Sequence, residues 1–474
     1  MIGRRALGWV VTVGAAGAGC AHHAEAPAEG AARYEYAIAP PAEESWLLAV
    51  EATFEHAPSA RLVAPSAPEA FRDVTLASAT NGIVRDGDGW QAPTCRTRCV
   101  VRYVVDLEAL ASACNRMDCG RRVGDAILGL ASAWMLRPEP TGDAVFRVRL
   151  AGGDPTRFAT GLRRDPGGGF ILRARELGEA AFTAFGSLRR DRVELPGARL
   201  DVALLGPPLN MGDAATVGWV RGAAQCVSGL FGRFPVDATI FVVPVKGADE
   251  VVFGRVMSLA GASVALLFGD QARPERAHDD WVVVHELFHL GCPSFVGEGH
   301  WLEEGLATYY EPLLRERAGW LSEADLWTHF VGNMPRGLRK DGEPASLEDR
   351  DDIDSTYWGG ALFVFLADVR IRETTRGARS LDDAMRAVLA RLGDATREAR
   401  VADFVRTGDE ATGTTVLADL YRTWVTLGEN ADLDDLWRRL GVKAKDGRVT
   451  FDSGAPLAFV RAGLTPGMPH GTGH

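Results

Sequence analysis

The run "VVVHELFHLG", Val282 to Gly291, sets three ionisable side chains in the middle of an oily stretch. Burying His285, Glu286 and His289 among Val, Leu and Phe is costly unless something pairs with them. The run carries helix signals at both ends. Asp279 and Asp280 offer an N-cap and negative charge at the start, and Gly291 with Pro293 ends it. A helix is predicted from about Trp281 to Leu290. Residues i and i+4 share a helix face, so His285 and His289 project together, suited to two corners of a tetrahedral zinc site. Glu286 stands beside the first imidazole, placed to act on a water at the ion. H-E-x-x-H joins two zinc ligands to a general base in this way. The alternative, a solvated helix face, sits poorly with the apolar neighbours.

A zinc site needs a third protein ligand. Glu298, His300, Glu303 and Glu304 are the candidates. The extended H-E-x-x-H-x-x-G-x-x-H pattern fails, because Cys292 stands at its Gly and Phe295 at its last His. A second helix, predicted over about Trp301 to Ala318, supplies two carboxylates from "WLEEGLATYY".

Outward from this centre, the chain of 474 residues is long enough for about two or three domains. The balance of 52 basic and 63 acidic residues gives −11 and argues against a nucleic-acid binder. The opening "MIGRRALGWVVTVGAAGAGC" is a secretory signal pattern, with Arg4 and Arg5 before an apolar stretch. Gly17 to Cys20 is similar to a bacterial lipobox, which makes Cys20 the expected site of lipidation. Residues 1–20 are therefore assigned to the signal segment and 21–33 to a flexible tether. The expected location is the bacterial envelope or the exterior, with membrane contact only through a lipid on Cys20. Export favours disulfides, expected among Cys95, Cys99, Cys114 and Cys119, and between Cys226 and Cys292.

Residues 34–197 read as an antiparallel sandwich-like β domain, built from runs such as "SWLLAVEATF" and "CVVRYVVDL". One helix, Gly120 to Leu136, is expected to interrupt it. From Ala198 strands and helices alternate: "RLDVALL", a helix over Met211 to Phe231 capped by Asp213, then "ATIFVVPV" and "ASVALLFG". The chain is helical from Thr356 to about Leu440. The fold class is α+β.

"HELFH", then "WLEEGLATYYEPLLRERAG", then "TYWGGALFVFLADV" together resemble the gluzincin metallopeptidases of the glycyl aminopeptidase family, and more distantly the aminopeptidase N family. The resemblance is specific from Trp281 to Val369. It implies a thermolysin-like zinc peptidase domain over 198–395, a helical part over 396–443, and an irregular tail over 444–474 that looks like the start of a PDZ domain. It implies Glu304, before the Gly of W-x-x-E-G, as third ligand of one Zn2+. Glu303 becomes a neighbouring support, as does Thr308 one turn on. Tyr357 in "YWGGA" becomes the donor to the oxyanion, with His329 a weaker alternative. An edge strand at 262–269 is expected to bind the extended peptide. Those aminopeptidases also carry a Glu for the substrate's amine in a Gly-rich stretch before the zinc helix. "LAGASVALLFG" has no acid before Asp270, which leaves Asp270, Glu298 and Glu303 as substitutes. The function expected is an exported zinc peptidase with Glu286 as base, cutting either at a free N-terminus or within the chain. Two alternatives are a non-catalytic envelope binding protein on this scaffold and hydrolysis of a non-peptide substrate.

Overall fold

The computed structural model describes residues 32–77, 82–297 and 299–465. The expected signal segment with Cys20, most of the expected tether, and Glu298 lie outside the described residues.

The first part is built on a seven-stranded sheet in the spatial order 163–164, 170–173, 145–150, 33–39, 47–55, 98–106, 71–76. It is mixed: Arg33–Ala39 pairs in parallel with Val145–Leu150. The expectation of a purely antiparallel domain is corrected there. Two four-stranded sheets complete this part. Tyr34, Phe54 and Phe146 make edge-to-face ring contacts in its core. The helix expected over Gly120 to Leu136 is a hairpin, Arg121–Val123 against Ala126–Leu130. Gly124, at φ +58°, and Asp125 form its tight turn. Ala126–Leu130 is buried throughout, and periodicity does not separate such a run from a buried helix. The helix of this part is Leu107–Cys114, where Asp106 accepts from the Ala109 N–H at 2.9 Å.

The second part holds a five-stranded sheet: β1 (Arg189–Leu195), β2 (Ala198–Leu204), β3 (Ala238–Val245), β4 (Val251–Met257) and β5 (Ser263–Gly269), in the order β1-β2-β3-β5-β4. Arg189–Leu195 thus joins this sheet rather than the β part that the 197/198 division gave it. β5 is buried at every position. Alternate residues explain why: Val264, Leu266 and Phe268 face the helices, while Ala265 and Leu267 face the β part. The strand expected at the edge is therefore internal. The edge on that side is β4, with Val252 and Phe253 42% and 48% exposed, and β1 forms the opposite edge.

Helix α1 (Asp213–Phe231) crosses from β2 to the parallel strand β3. Its first residue is Asp213, and Gly212 holds the cap position. The expected capping carboxylate instead binds Arg189, 2.7 Å away. Helices α2 (Val282–His289), α3 (His300–Arg317) and α4 (Gly360–Thr375) follow. The tail expected to be irregular folds into a hairpin, Val442–Lys445 with Arg448–Phe451, and a helix, Ala458–Leu464.

Two features lock α3 in place. Tyr309 donates to Asp368 at 2.8 Å and Tyr310 to Asp382 at 3.1 Å, so both buried phenols are satisfied. Gly305 meets Gly360 backbone to backbone: a Cβ on Gly305 would lie 2.3 Å from the Gly360 carbonyl carbon. Gly305→Ala should therefore destabilise the fold by about 1–3 kcal/mol through overpacking. A urea midpoint equal to that of the parent would contradict this packing.

Candidate metal centre

The site is assembled from α2, α3, the turn before α4, and the edge strand β4. Asp280 starts α2 by accepting from the N–H groups of Val282 and Val283, at 3.2 and 3.1 Å. The anticipated carboxylate therefore does bind the first turn, from two residues before the helix, while Trp281 holds the cap position itself. His285 and His289 then face α3, their ring centroids 5.0 Å apart. On α3, Oε2 of Glu304 lies 3.1 Å from Nε2 of His285 and 3.7 Å from Nε2 of His289. Donors on bonds of about 2.0–2.1 Å at a tetrahedral ion stand roughly 3.3 Å from one another. These separations bracket that value. All three donor atoms lie within 4.8 Å of each other.

The electrostatics point to the same need. Burial comes first in raising the pKa of Glu286 and of Glu303. Burial also opposes ionisation of Glu304, yet the two imidazoles override it and hold that carboxyl far below its usual range. His289 is its counterpart: burial pulls it down, but Glu304, with Glu286 and Glu303, pushes it up to about 9. The buried carboxylates draw positive charge to this point, as the raised pKa of His289 shows. A divalent cation between two nitrogens and a carboxylate oxygen supplies it, so the donor set fits zinc.

Of the candidate ligands described, Glu304 alone converges on the imidazoles. His300 and Glu303 line the same cleft without joining the donor set. Glu303 is held by the backbone N–H of Phe295 and by the Ser294 hydroxyl, 3.2 Å away. It thereby anchors the loop between α2 and α3. Thr308 departs from expectation: its hydroxyl, though buried, has no hydrogen-bond partner among the described residues, so it supports no ligand. Tyr357 lies in a π-helical turn, Asp354–Gly359, a geometry common at functional sites. Its ring stacks 6.2 Å from that of His285. Burial, then Glu304 and Glu286, raise its pKa, keeping the phenol protonated. His329 packs 5.5 Å from Trp358 and is absent from the cleft wall.

The cleft has a volume of about 500 Å³. Its wall includes two groups that sequence reading missed. One is β4. A Cβ on Gly254 would lie 2.2 Å from Cγ of Glu286, so glycine there lets the edge strand pass against the base. The next residue, Arg255, pairs with Asp118 in the Cys114–Cys119 loop, which braces β4 from the β part. "VVFGRVM" carried a strand signal in its β-branched residues, weakened by the Gly. The other is Glu179, which reaches the cleft from the β part and had no local signal.

The cysteine expectations divide. Cys95–Cys99 and Cys114–Cys119 are bridged. Cys226 and Cys292 are free and buried. They occupy different surroundings: Cys226 lies near Arg315 and Glu311, whereas Cys292 lines the cleft near Glu303. Burial pushes the Cys226 thiol up to about 12.

Compared by sequence, the chain matches no family model and no curated protein. Compared by structure, it is similar to an aminopeptidase N family protein from Idiomarina loihiensis, at a TM-score of 0.63 and 16% identity over 87% of this chain and 78% of that one. It is also similar, at a TM-score of 0.46 and 16% identity, to an M1 zinc metallopeptidase from Deinococcus radiodurans, over 84% of this chain and 95% of that one. The first likeness establishes that the chain has an aminopeptidase N-like fold.

Removing one donor tests the centre. Zinc-loaded wild-type protein should retain about one ion per chain through dialysis, and Glu304→Ala below about a tenth of that, since three protein ligands define such sites. Equal zinc content by mass spectrometry would remove Glu304 from the coordination set.

Proposed function

We propose that the chain is an exported, zinc-dependent peptidase. The observation that carries this reading is the convergence of His285, His289 and Glu304 in a cleft that also holds Glu286 and Tyr357 beneath an exposed strand edge. The aminopeptidase N-like fold supports it. Export rests on the opening signal pattern, with lipidation at Cys20 as its second element.

Bound zinc would polarise the scissile carbonyl and acidify water at the site. The chain's own groups do the rest. β4 offers its unpaired N–H and C=O groups to an extended peptide. Gly254 keeps the backbone close to Glu286. Glu286, its pKa raised by burial, takes a proton from the attacking water and passes it to the leaving amine as the C–N bond breaks. The protonated phenol of Tyr357 donates to the carbonyl oxygen as negative charge builds there.

No acidic residue lies on β4 or at Ser258 to hold a substrate's amine. Asp270 accepts from the Gly247 N–H at 2.8 Å and stands outside the cleft wall, and Glu303 is engaged by the α2–α3 loop. Glu179, on the cleft wall, is a further carboxylate able to receive a free N-terminus, so the reading commits to peptide hydrolysis and to neither mode of cutting. Digestion of a peptide library with blocked and free N-termini, followed by mass spectrometry, separates the two modes. Zinc-loaded protein that cleaves neither set contradicts the proposal.

Two substitutions read the roles directly. Glu286→Gln should lower kcat by about 10²–10⁴-fold with zinc retained. Tyr357→Phe should lower kcat about 10²-fold with little change in KM, because its hydrogen bond strengthens only as the oxyanion forms. An unchanged kcat in either variant takes that residue out of the reaction.

A further inference from the structure

Beside the metal cleft lies a second cavity of about 230 Å³, lined by Arg163, Arg173, Arg175, Arg397, Glu176 and Glu398 among others. Its wall carries four arginines against two carboxylates, in a chain whose net charge is −11. The pairing is uneven. Arg163 binds both oxygens of the buried Glu176, at 3.0 and 2.9 Å. Arg175 stands 3.6 Å from Glu398. Among the described residues, no ion pair or hydrogen bond engages the guanidinium of Arg173 or of Arg397. Two solvent-facing guanidinium groups without a protein partner thus share a concave wall, and a guanidinium fork matches a carboxylate in shape and charge.

The two cavities adjoin at three places in the chain. Residues 174–179 carry Arg175 and Glu176 on one side and Glu179 on the other. Ser258 lines the cleft and Leu259 the arginine cavity; Ala395 and Thr396 divide in the same way. β4 runs from the Gly254–Glu286 contact toward this junction. The four residue steps from Gly254 to Ser258, just past the end of β4, span about 13 Å in extended chain. A peptide pairing antiparallel to β4 carries its residues N-terminal to the cleaved bond in that direction.

We infer that the arginine cavity is a carboxylate-binding subsite for the peptide held in the metal cleft. This rests on the peptidase reading. The carboxylate comes from an acidic side chain a few residues before the cleaved bond or, for a peptide lying in the opposite sense, from the C-terminus.

The test is equilibrium binding to the zinc-loaded Glu286→Gln protein, so hydrolysis plays no part. The probes are fluorescein-labelled decapeptides with three central Glu or three central Gln, each with a free or an amidated C-terminus, read by anisotropy. A carboxylate advantage of about tenfold is expected, as for hydrogen bonds to charged groups. It should disappear when Arg173→Gln and Arg397→Gln are added; both side chains are exposed, and circular dichroism verifies the fold. Loss of affinity on Glu-to-Gln exchange identifies a side chain as the source, and loss on amidation identifies the C-terminus. Equal affinity for all four probes, or a preference that survives both substitutions, overturns the subsite. Wild-type protein that shows the preference but cleaves no peptide overturns the peptidase reading and leaves the subsite standing.

Discussion

The contact between Glu304 and the imidazoles of His285 and His289, across α2 and α3, is the interaction on which the rest of the structure turns. It brings opposite charge together out of water, where an unpaired carboxylate is costly. Glu286 and Glu303 add further buried negative charge. Much of the surrounding fold serves to hold this group. Asp280 starts α2, Gly305 lets α3 lie against Gly360, and the buried Asp368 and Asp382 fix the phenols that follow Glu304 on α3.

The five-stranded sheet links this centre to the β part. One face of its inner strands packs on helices and the other on the β part. That double burial leaves one long margin, β4, facing the cleft. The β part also reaches the cleft directly, through Glu179 and through the Asp118–Arg255 pair. The centre is therefore walled from both halves of the chain, although its three converging donors come from α2 and α3 alone.

The sequence made the centre legible because its logic is local. H-E-x-x-H places two donors by helix period alone, and the end signals at Asp280 and Gly291 fall within two residues of the observed helix ends. Glu304 was legible only through the resemblance, since its approach depends on how two helices pack. The failures have a common cause in tertiary packing. "ASVALLFG" reads as a strand, but only the sheet order decides whether it is central or marginal. Within Gly120 to Leu136, the run Ala126 to Leu130 is too uniformly apolar for its period to speak, and the turn at Gly124 decided it. Cys226 and Cys292 matched by count and by compartment, yet the fold sends them to separate environments. Thr308 sat one turn from Glu304 and still found no partner.

The most direct measurement is diffraction from zinc-loaded crystals across the zinc absorption edge. The account expects one anomalous peak per chain, bonded to Nε2 of His285 and of His289 at about 2.0–2.1 Å and to a Glu304 oxygen at about 2.0–2.2 Å. A peak bound elsewhere, or one with a sulfur ligand from Cys292 at about 2.3 Å in place of Glu304, would contradict it.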